Sequence, residues 1–354
     1  MIRSDGLSLK KPSVRTSTSG PLLGQRQCHM VRVKSSDLEE LFFTCQPDPQ
    51  AGGDLASQIR SLYEGIFDSL NAEGALPEHV VMEKVFFRDV AAGRDALTEL
   101  RTQQAGDPRW AAYTPASLLI EEPPSQDRLH CEAQLVVMVP AAGRAHRWWS
   151  FGLVKPSRNG GAPALPPVGK GLEIDGKRHY WIGNVLGRGG SGFHTETVSM
   201  FEEARDILAA QGVAFTSVVR TWLYLSEMER DYGELNRGRR DFFRAHGVGR
   251  RPASTGIGGT PSTPGHDAVL CLYAITGVSE SAVEIMHTPT LNEACEYGSD
   301  FSRGMRVDEG GRRTLYISGT ASVDEQGATV AFNDFEAQVE RMLVNVDMLL
   351  ENQG

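Results

Sequence analysis

The chain is poor in cysteine and lacks any long apolar run. Its cysteines occur singly, with no CxxC pair, at Cys28, Cys45, Cys131, Cys271 and Cys295. Neither a disulfide framework nor a zinc site is therefore expected. No apolar run is long enough to span a bilayer, and the first residues, MIRSDGLSLKKPSVRTSTSG, contain no apolar segment, which argues against membrane insertion and secretion. We expect a cytoplasmic protein in a reducing compartment.

A dominant basic face and a metal-ligand pattern are also missing. The formal net charge is −9, whereas a protein that binds a phosphate backbone needs clustered positive charge. The basic run NRGRRDFFR at 236–244 is interpreted as a solvated helix face. The 9 histidines form no HxH or HExxH pattern, so neither a metal nor another cofactor is expected. The expected partner is a small molecule, with no nucleic acid and no membrane.

The chain does contain an internal repeat, which decides the expected fold. The stretches ELFFTCQPDP (40–49), HYWIGNVLGR (179–188) and TLYISGTASVD (314–324) each read as a strand that ends in small residues. An amphipathic helix that closes on glycine follows each strand. These patterns predict three copies of one strand and helix unit.

The first two copies continue in parallel. HVVMEKVFFRD (79–89) matches SVVRTWLYLSE (217–227) at an offset of 138 residues, and both are rich in β-branched and aromatic residues. A turn and two further strands follow in each copy. The third copy stops after its helix. We expect the chain to be a truncated form of a longer protein, because an uncovered sheet edge is costly; a naturally incomplete third copy is the alternative.

The glycine-rich stretch RPASTGIGG (251–259) belongs to this repeat. It matches neither the dinucleotide fingerprint nor a phosphate loop, since no GK[ST] follows. YTPASLLIEEPP (113–124) occupies the same place in the first copy, so both stretches are predicted to be turns that enter a strand. Gly256 and Gly258 then mark where another group approaches the backbone closely.

These observations divide the chain into five segments. They are a flexible lead-in, a first unit, a Pro/Gly-rich connector, a second unit and a partial third unit, at 1–27, 28–141, 142–172, 173–280 and 281–354.

The motifs of this unit, including the VV(R/K)xxxYL strand and the P-A-S turn, resemble the Rid (YjgF) family over nearly all of residues 35–354. The resemblance implies an α+β, chorismate-mutase-like fold whose tandem units form a pseudo-trimer with an incomplete third unit, as a monomer or homo-oligomer. Rid proteins hydrolyse enamines and imines in clefts between subunits. Deaminating members carry an arginine directly before the Ser/Thr pair of the turn, but here Ala116 and Ala253 stand at that position.

Three further stretches look more like the chorismatases, a divergent group with this fold: RTWLYL (220–225), ASTGIGG (253–259), and EYGSDFSRG (296–304) with YISGTAS (316–322). This resemblance implies cleavage of chorismate, or of a related cyclic enol-ether carboxylic acid, with release of pyruvate in secondary metabolism. A Rid-type enamine or imine deaminase and a non-catalytic metabolite-binding protein are the alternatives. Asp300, inside the third stretch, departs from the expected pattern and would repel a dianion.

The resemblance also implies site residues. Glu132, in the last strand of the first unit, matches a Rid glutamate and is the predicted catalytic acid; an outward-facing strand glutamate is the alternative. The acid of the chorismatases lies in a strand that the third unit lacks. A small-molecule carboxylate is expected to contact Arg220, Tyr224, Thr255, Gly256, Gly258, Tyr297, Arg303, Ser318 and Thr320. For Arg220 a solvated position, and for Ser318 and Thr320 a role in a strand-end turn, stay open.

Overall fold

A computed structural model describes residues 14–19, 28–152, 168–190, 192–287, 293 and 298–353. Its strands fall into three sheets, and helices cover one face of the two larger ones. The predicted α+β class is confirmed.

The first unit is a mixed sheet with two long helices and one short helix. The strands run in the order β1-β2-β3-β6-β4-β5, and all neighbours are antiparallel except β4 and β5. Its elements are β1 Val14–Ser19, β2 Cys28–Lys34, β3 Leu38–Cys45, α1 Leu55–Ala72, β4 Val80–Phe87, α2 Val90–Gln103, α3 Pro108–Ala112, β5 Ala116–Glu121 and β6 Cys131–Pro140.

The second unit repeats this arrangement strand for strand. Its order β7-β8-β9-β13-β10-β11 reproduces that of the first unit, again with one parallel pair. A short strand, β12, leaves this sheet and pairs with β5 of the first unit. The elements are β7 His146–Phe151, β8 Gly169–Ile174, β9 Lys177–Val185, α4 Phe193–Ala209, β10 Val218–Leu225, α5 Met228–Ala245, β11 Ala253–Gly258, β12 Thr260–Pro261 and β13 Ala268–Thr276.

The third unit has the first half of the same pattern, three strands followed by one helix, within the described ranges. They are β14 Val283–Ile285, β15 Gly304–Glu309, β16 Arg312–Ile317 and α6 Phe335–Glu351. The ranges predicted as lead-in and connector contain β1, and β7 with part of β8, so these strands extend the first and second sheets.

Three large apolar cores form among the described residues, as the alternation of side chains along the strands leads one to expect; a smaller cluster around Met286 and Leu349 lies in the third unit. One lies between the first sheet and its helices, where Leu62 and Ile66 of α1 are buried. Another is the equivalent core of the second unit. The third lies between the sheets themselves and joins all units, with Met82 of β4, Trp181 of β9 and Met305 of β15. The helix-free faces of the sheets therefore point towards one another.

One expectation about the cysteines is wrong. β2 and β3 form a hairpin whose register places Cys28 opposite Cys45, with their Cα atoms 4.2 Å apart, and the two sulfurs form a disulfide. The spacing along the chain did not indicate this pair, because it depends on the hairpin register. Cys131 and Cys271 are free and buried.

The described residues offer neither a membrane-spanning helix nor a cluster of metal-binding side chains. No helix there is long and apolar enough to cross a bilayer. Within the same ranges, no three His, Cys, Asp or Glu side chains are grouped so that they could hold a metal ion.

Candidate functional site

A cleft of about 320 Å³ opens between the first and second units. It brings together four residues that the sequence singled out, Glu132, Arg220, Tyr224 and Thr255. The lining side chains come from both sheets and from the segment after β5: Lys84, Phe86, Glu122, Pro123, Glu132, Gln134, Arg220, Trp222, Tyr224, Thr255 and Ile257.

Strand alternation explains why these side chains meet. Successive side chains of a strand point to opposite faces, so Arg220, Trp222 and Tyr224 of β10 share one face. Lys84 of β4 lies directly opposite Gln134 of β6, and Phe86 lies opposite Glu132, which places these four side chains on one face of the first sheet. Because the two sheets face each other, the two sets line one cleft.

Arg220 is a buried cation that lines the cleft. Its side chain is 7 % exposed, and its Nη2 donates to Thr255 Oγ1 at 2.5 Å. The guanidinium carbon lies 5.0 Å from the centre of the Trp222 ring. Burial lowers the pKa of Arg220 to about 10, so the group stays positive at neutral pH. Nη1 is buried without a hydrogen-bond acceptor among the described residues.

Lys84 provides a second cation in the same cleft. Its Nζ lies 4.4 Å from the centre of the Trp222 ring and 5.5 Å from that of Tyr224. Burial, together with the positive charge of Arg220, lowers the pKa of Lys84 to about 8. In the part of the chain that the structure describes, no carboxylate forms an ion pair with either cation. A small anion could therefore neutralise both.

Two carboxyl groups line the same cleft. Glu132 is half-buried, and its Oε2 accepts hydrogen bonds from Ser125 Oγ at 3.1 Å and Gln46 Nε2 at 3.2 Å. Burial and the negative charge of Glu132 raise the pKa of Glu122. The direction of this shift favours the protonated form of Glu122.

A second cavity, of about 600 Å³, lies on the other side of β11, next to the third unit. Thr255 and Ile257 face the cleft, whereas Ser254 and Gly256 face this second cavity. The glycine-rich strand is therefore shared between two cavities and is not one wall of a single pocket. The second cavity is lined by Leu223, Met228, Glu229, Tyr232, Leu235, Arg239, Ser254, Gly256, Phe301, Gly319, Thr320 and Ala321.

The remaining predicted site residues are dispersed. Gly256 and Thr320 line the second cavity, and Gly258 is exposed with no atom within 4 Å of an added Cβ. Arg303 is buried and lines neither cavity. Tyr297 lies outside the described residues.

Ser318 joins the third unit to β11. Its Oγ donates to Ser302 O at 2.5 Å and accepts from Ser254 N at 2.8 Å. Asp300, expected to repel a dianion, is buried in an ion pair with Arg251 and lines neither of the two cavities.

Lys84 and Glu122 were missed by the reasoning from sequence, although both left a signal there. Lys84 is a single lysine in the apolar strand VVMEKVFF, at the position that Trp222 occupies in the second unit. Glu122 follows β5 in EEPP, where a proline ends the strand.

The described structure is similar to several solved structures. A chorismatase crystal structure aligns at 16% identity with a TM-score of 0.49, covering 77% of this chain and 72% of that one. A YjgF family protein from Neisseria meningitidis aligns at 17% identity with a TM-score of 0.29, covering 38% of this chain and 98% of that one. E. coli TdcF with bound serine aligns at 11% identity with a TM-score of 0.28, covering 36% and 93%.

No protein-family model matches the chain, and no curated protein matches it. Rid-fold proteins and a chorismatase are thus among the structures that this chain resembles, as the motifs predicted. At these identities the likeness concerns the fold alone, and the chemistry must be argued from the cleft.

Proposed function

We propose that the chain is a chorismatase-like enzyme that cleaves chorismate, or a related cyclic enol-ether carboxylic acid, and releases pyruvate. The observation that carries this proposal is the composition of the cleft. Two cations without a carboxylate partner among the described residues, Arg220 and Lys84, share it with the carboxyl pair Glu122 and Glu132.

The two cations fit the charge of the substrate. Chorismate carries two carboxylates, and each needs a fixed positive partner in a half-buried site. The planar guanidinium of Arg220 suits one carboxylate, and the Lys84 ammonium suits the other. This pairing replaces Arg303, which the sequence had suggested for the second position. The rings of Trp222 and Tyr224 provide flat surfaces for the cyclohexadiene.

The two carboxyl groups fit the reaction. Cleavage of an enol ether begins when a proton adds to the methylene carbon and leaves a positive charge on the ether carbon. Water then adds to this carbon while a base takes its proton, and the resulting hemiketal separates into pyruvate and an alcohol. Glu122 is the proton donor in this scheme, because its pKa is raised. Glu132 is the base; the sequence-based prediction had assigned it the acid role.

An assay of pyruvate release from chorismate tests the proposal. We expect Glu122→Gln and Glu132→Gln each to bind substrate and to lower turnover by about a hundredfold or more. Arg220→Met is expected to raise KM by about tenfold or more. Glu99→Gln, an exposed carboxylate on α2, is the matched control. A chain that releases no pyruvate, or in which both glutamine variants keep full activity, contradicts the proposal.

One observation favours the alternative of a Rid-type enamine or imine deaminase. The turn position that carries arginine in deaminating members is Ala253 here, and Arg220 is its direct neighbour in the parallel pairing of β10 and β11. Arg220 can therefore offer a guanidinium to a carboxylate from the adjacent strand. Release of ammonia from enamines formed from serine or threonine, with loss of this activity in Arg220→Met, distinguishes this function from chorismate cleavage.

A further inference from the structure

The surroundings of the Lys84 amine point to a role beyond that of the second cation in the proposed cleavage. In a half-buried position, a lysine ordinarily donates to a carboxylate or carbonyl. Among the described residues, Lys84 makes no such bond; its Nζ contacts the ring faces of Trp222 and Tyr224. It also points into a cleft that small molecules can enter.

This environment favours the neutral amine, which is the nucleophilic form. With a pKa of about 8, about one amine in ten is neutral at pH 7, compared with fewer than about one in a thousand for an ordinary lysine. Desolvation next to a second cation is a known way to activate a lysine towards carbonyl compounds. Arg220 is that second cation, and both groups approach the same indole ring.

We infer that Lys84 forms a reversible imine with small 2-oxo carboxylic acids whose carboxylate is bound by Arg220. The cleft volume of about 320 Å³ accommodates an acid of a few carbon atoms. Nη1 of Arg220, which has no acceptor among the described residues, supplies the contact that a carboxylate needs. This activity goes beyond the proposed cleavage and does not depend on it.

The chemistry balances without an oxidant or reductant. The lone pair of the neutral amine adds to the keto carbon, and one of the two nitrogen protons passes to the carbonyl oxygen to give a carbinolamine. Loss of the nitrogen proton and departure of the hydroxyl group as water form the C=N bond. Glu122, which lines the same cleft, can donate the proton to the leaving hydroxyl group. Hydrolysis reverses each step.

Lys170 provides a matched control inside the same protein. Burial lowers its pKa to about 8 as well, and its Nζ lies 5.6 Å from the centre of the Trp148 ring. However, Lys170 is 3 % exposed, donates to Thr114 Oγ1 at 2.8 Å and lines neither cavity. If a low pKa alone produced imines, Lys170 would react equally.

The test is reductive trapping with pyruvate. The purified chain is incubated with pyruvate and cyanoborohydride, and attachment is measured by intact mass and peptide mapping over its 7 lysines. We expect one pyruvate per chain at Lys84, with retained trapping in Lys170→Met and loss in Lys84→Met. Arg220→Met should raise the pyruvate concentration for half-maximal trapping by about tenfold. Trapping of acetone, which lacks a carboxylate, should fall by less, because it loses only the effect of Arg220 on the pKa of Lys84.

Peptide mapping of the trapped parent chain, which carries no substitution, tests the inference even if a variant fails to fold. Attachment spread equally over Lys84, Lys170 and the exposed Lys34, or no attachment at Lys84, overturns it. Because pyruvate is added directly, trapping can succeed when no chorismate is cleaved, and cleavage can succeed without trapping. The two proposals therefore fail separately.

Discussion

The junction of the three units contains a carboxyl group whose removal should change the pH dependence of stability. Glu309, at the end of β15, is 5 % exposed. Its carboxylate oxygens lie 3.6 Å from Arg312 Nη2, 3.8 Å from Lys177 Nζ and 3.6 Å from His179 Nε2. The Oε2 atom of Glu309 is buried, and no described residue donates a hydrogen bond to it. Burial therefore outweighs the nearby cations and raises the pKa of Glu309 to about 7.

The sign and size of the effect follow from this pKa. An unfolded glutamate titrates near 4.5, so the folded chain holds the Glu309 proton more tightly than the unfolded chain does. The stabilisation is fully present below pH 4.5 and is lost as the pH rises through 7. A difference of about 2.5 pKa units corresponds to at most about 3 kcal/mol. Glu309→Gln imitates the protonated form at every pH. We therefore expect the variant to gain up to about 3 kcal/mol over the parent at pH 8 but less than about 1 kcal/mol at pH 5.

Urea unfolding between pH 5 and pH 8 measures this difference. Glu340→Gln, an exposed carboxylate on α6, is the control and should follow the parent at each pH. The neighbouring Glu40, whose pKa burial also raises, is one of the charges that raise the pKa of Glu309, and it is present in all three proteins. If Glu309→Gln is less stable than the parent at pH 8, the ion contacts of Glu309 outweigh its burial and the reasoning is refuted.

Two further substitutions test other parts of the structure. Gly256→Val places a Cβ 3.3 Å from Met228 Cε, at the flexible end of that side chain. We expect this substitution to reduce binding of an apolar fluorescent probe to the second cavity and to shift the unfolding free energy by less than about 1 kcal/mol. Pyruvate trapping at Lys84 should stay unchanged. Loss of trapping would show that the two cavities are coupled. Glu83→Leu removes a buried carboxylate that accepts from Tyr113, Ser117 and Arg101 and should destabilise the chain by about 3 kcal/mol or more in urea. A smaller loss would mean that the remaining polar groups find water.

Much of the fold could be predicted from the sequence, because the repeat is visible along the chain without any knowledge of which elements pack together. The offset of 138 residues between β4 and β10 is a property of the chain alone, and so is the alternation that places Arg220 and Tyr224 on one face. The same alternation separates Thr255 from Gly256, so the division of the glycine-rich strand between two cavities was predictable in principle.

The set of residues that lines the cleft could not be predicted from the sequence in the same way. Lys84 and Trp222 meet because the helix-free faces of two sheets pack together, and no spacing along the chain specifies that packing. The raised pKa of Glu122 likewise depends on where the segment after β5 lies relative to Glu132. The Cys28–Cys45 pair required the hairpin register. In each case the missing information was which distant elements become neighbours.

The meeting of Lys84 with Trp222 has an evolutionary consequence, because the two residues occupy equivalent positions of the first and second units. In an assembly of identical subunits, a mutation changes every copy of a position at once. Such an assembly would have only lysines or only tryptophans at these two equivalent positions. A lysine at one position could then not contact a tryptophan at the other. Joining the copies in a single chain allows each to mutate independently. The ammonium that lies over the Trp222 ring is thus a contact that gene fusion permits and subunit symmetry forbids.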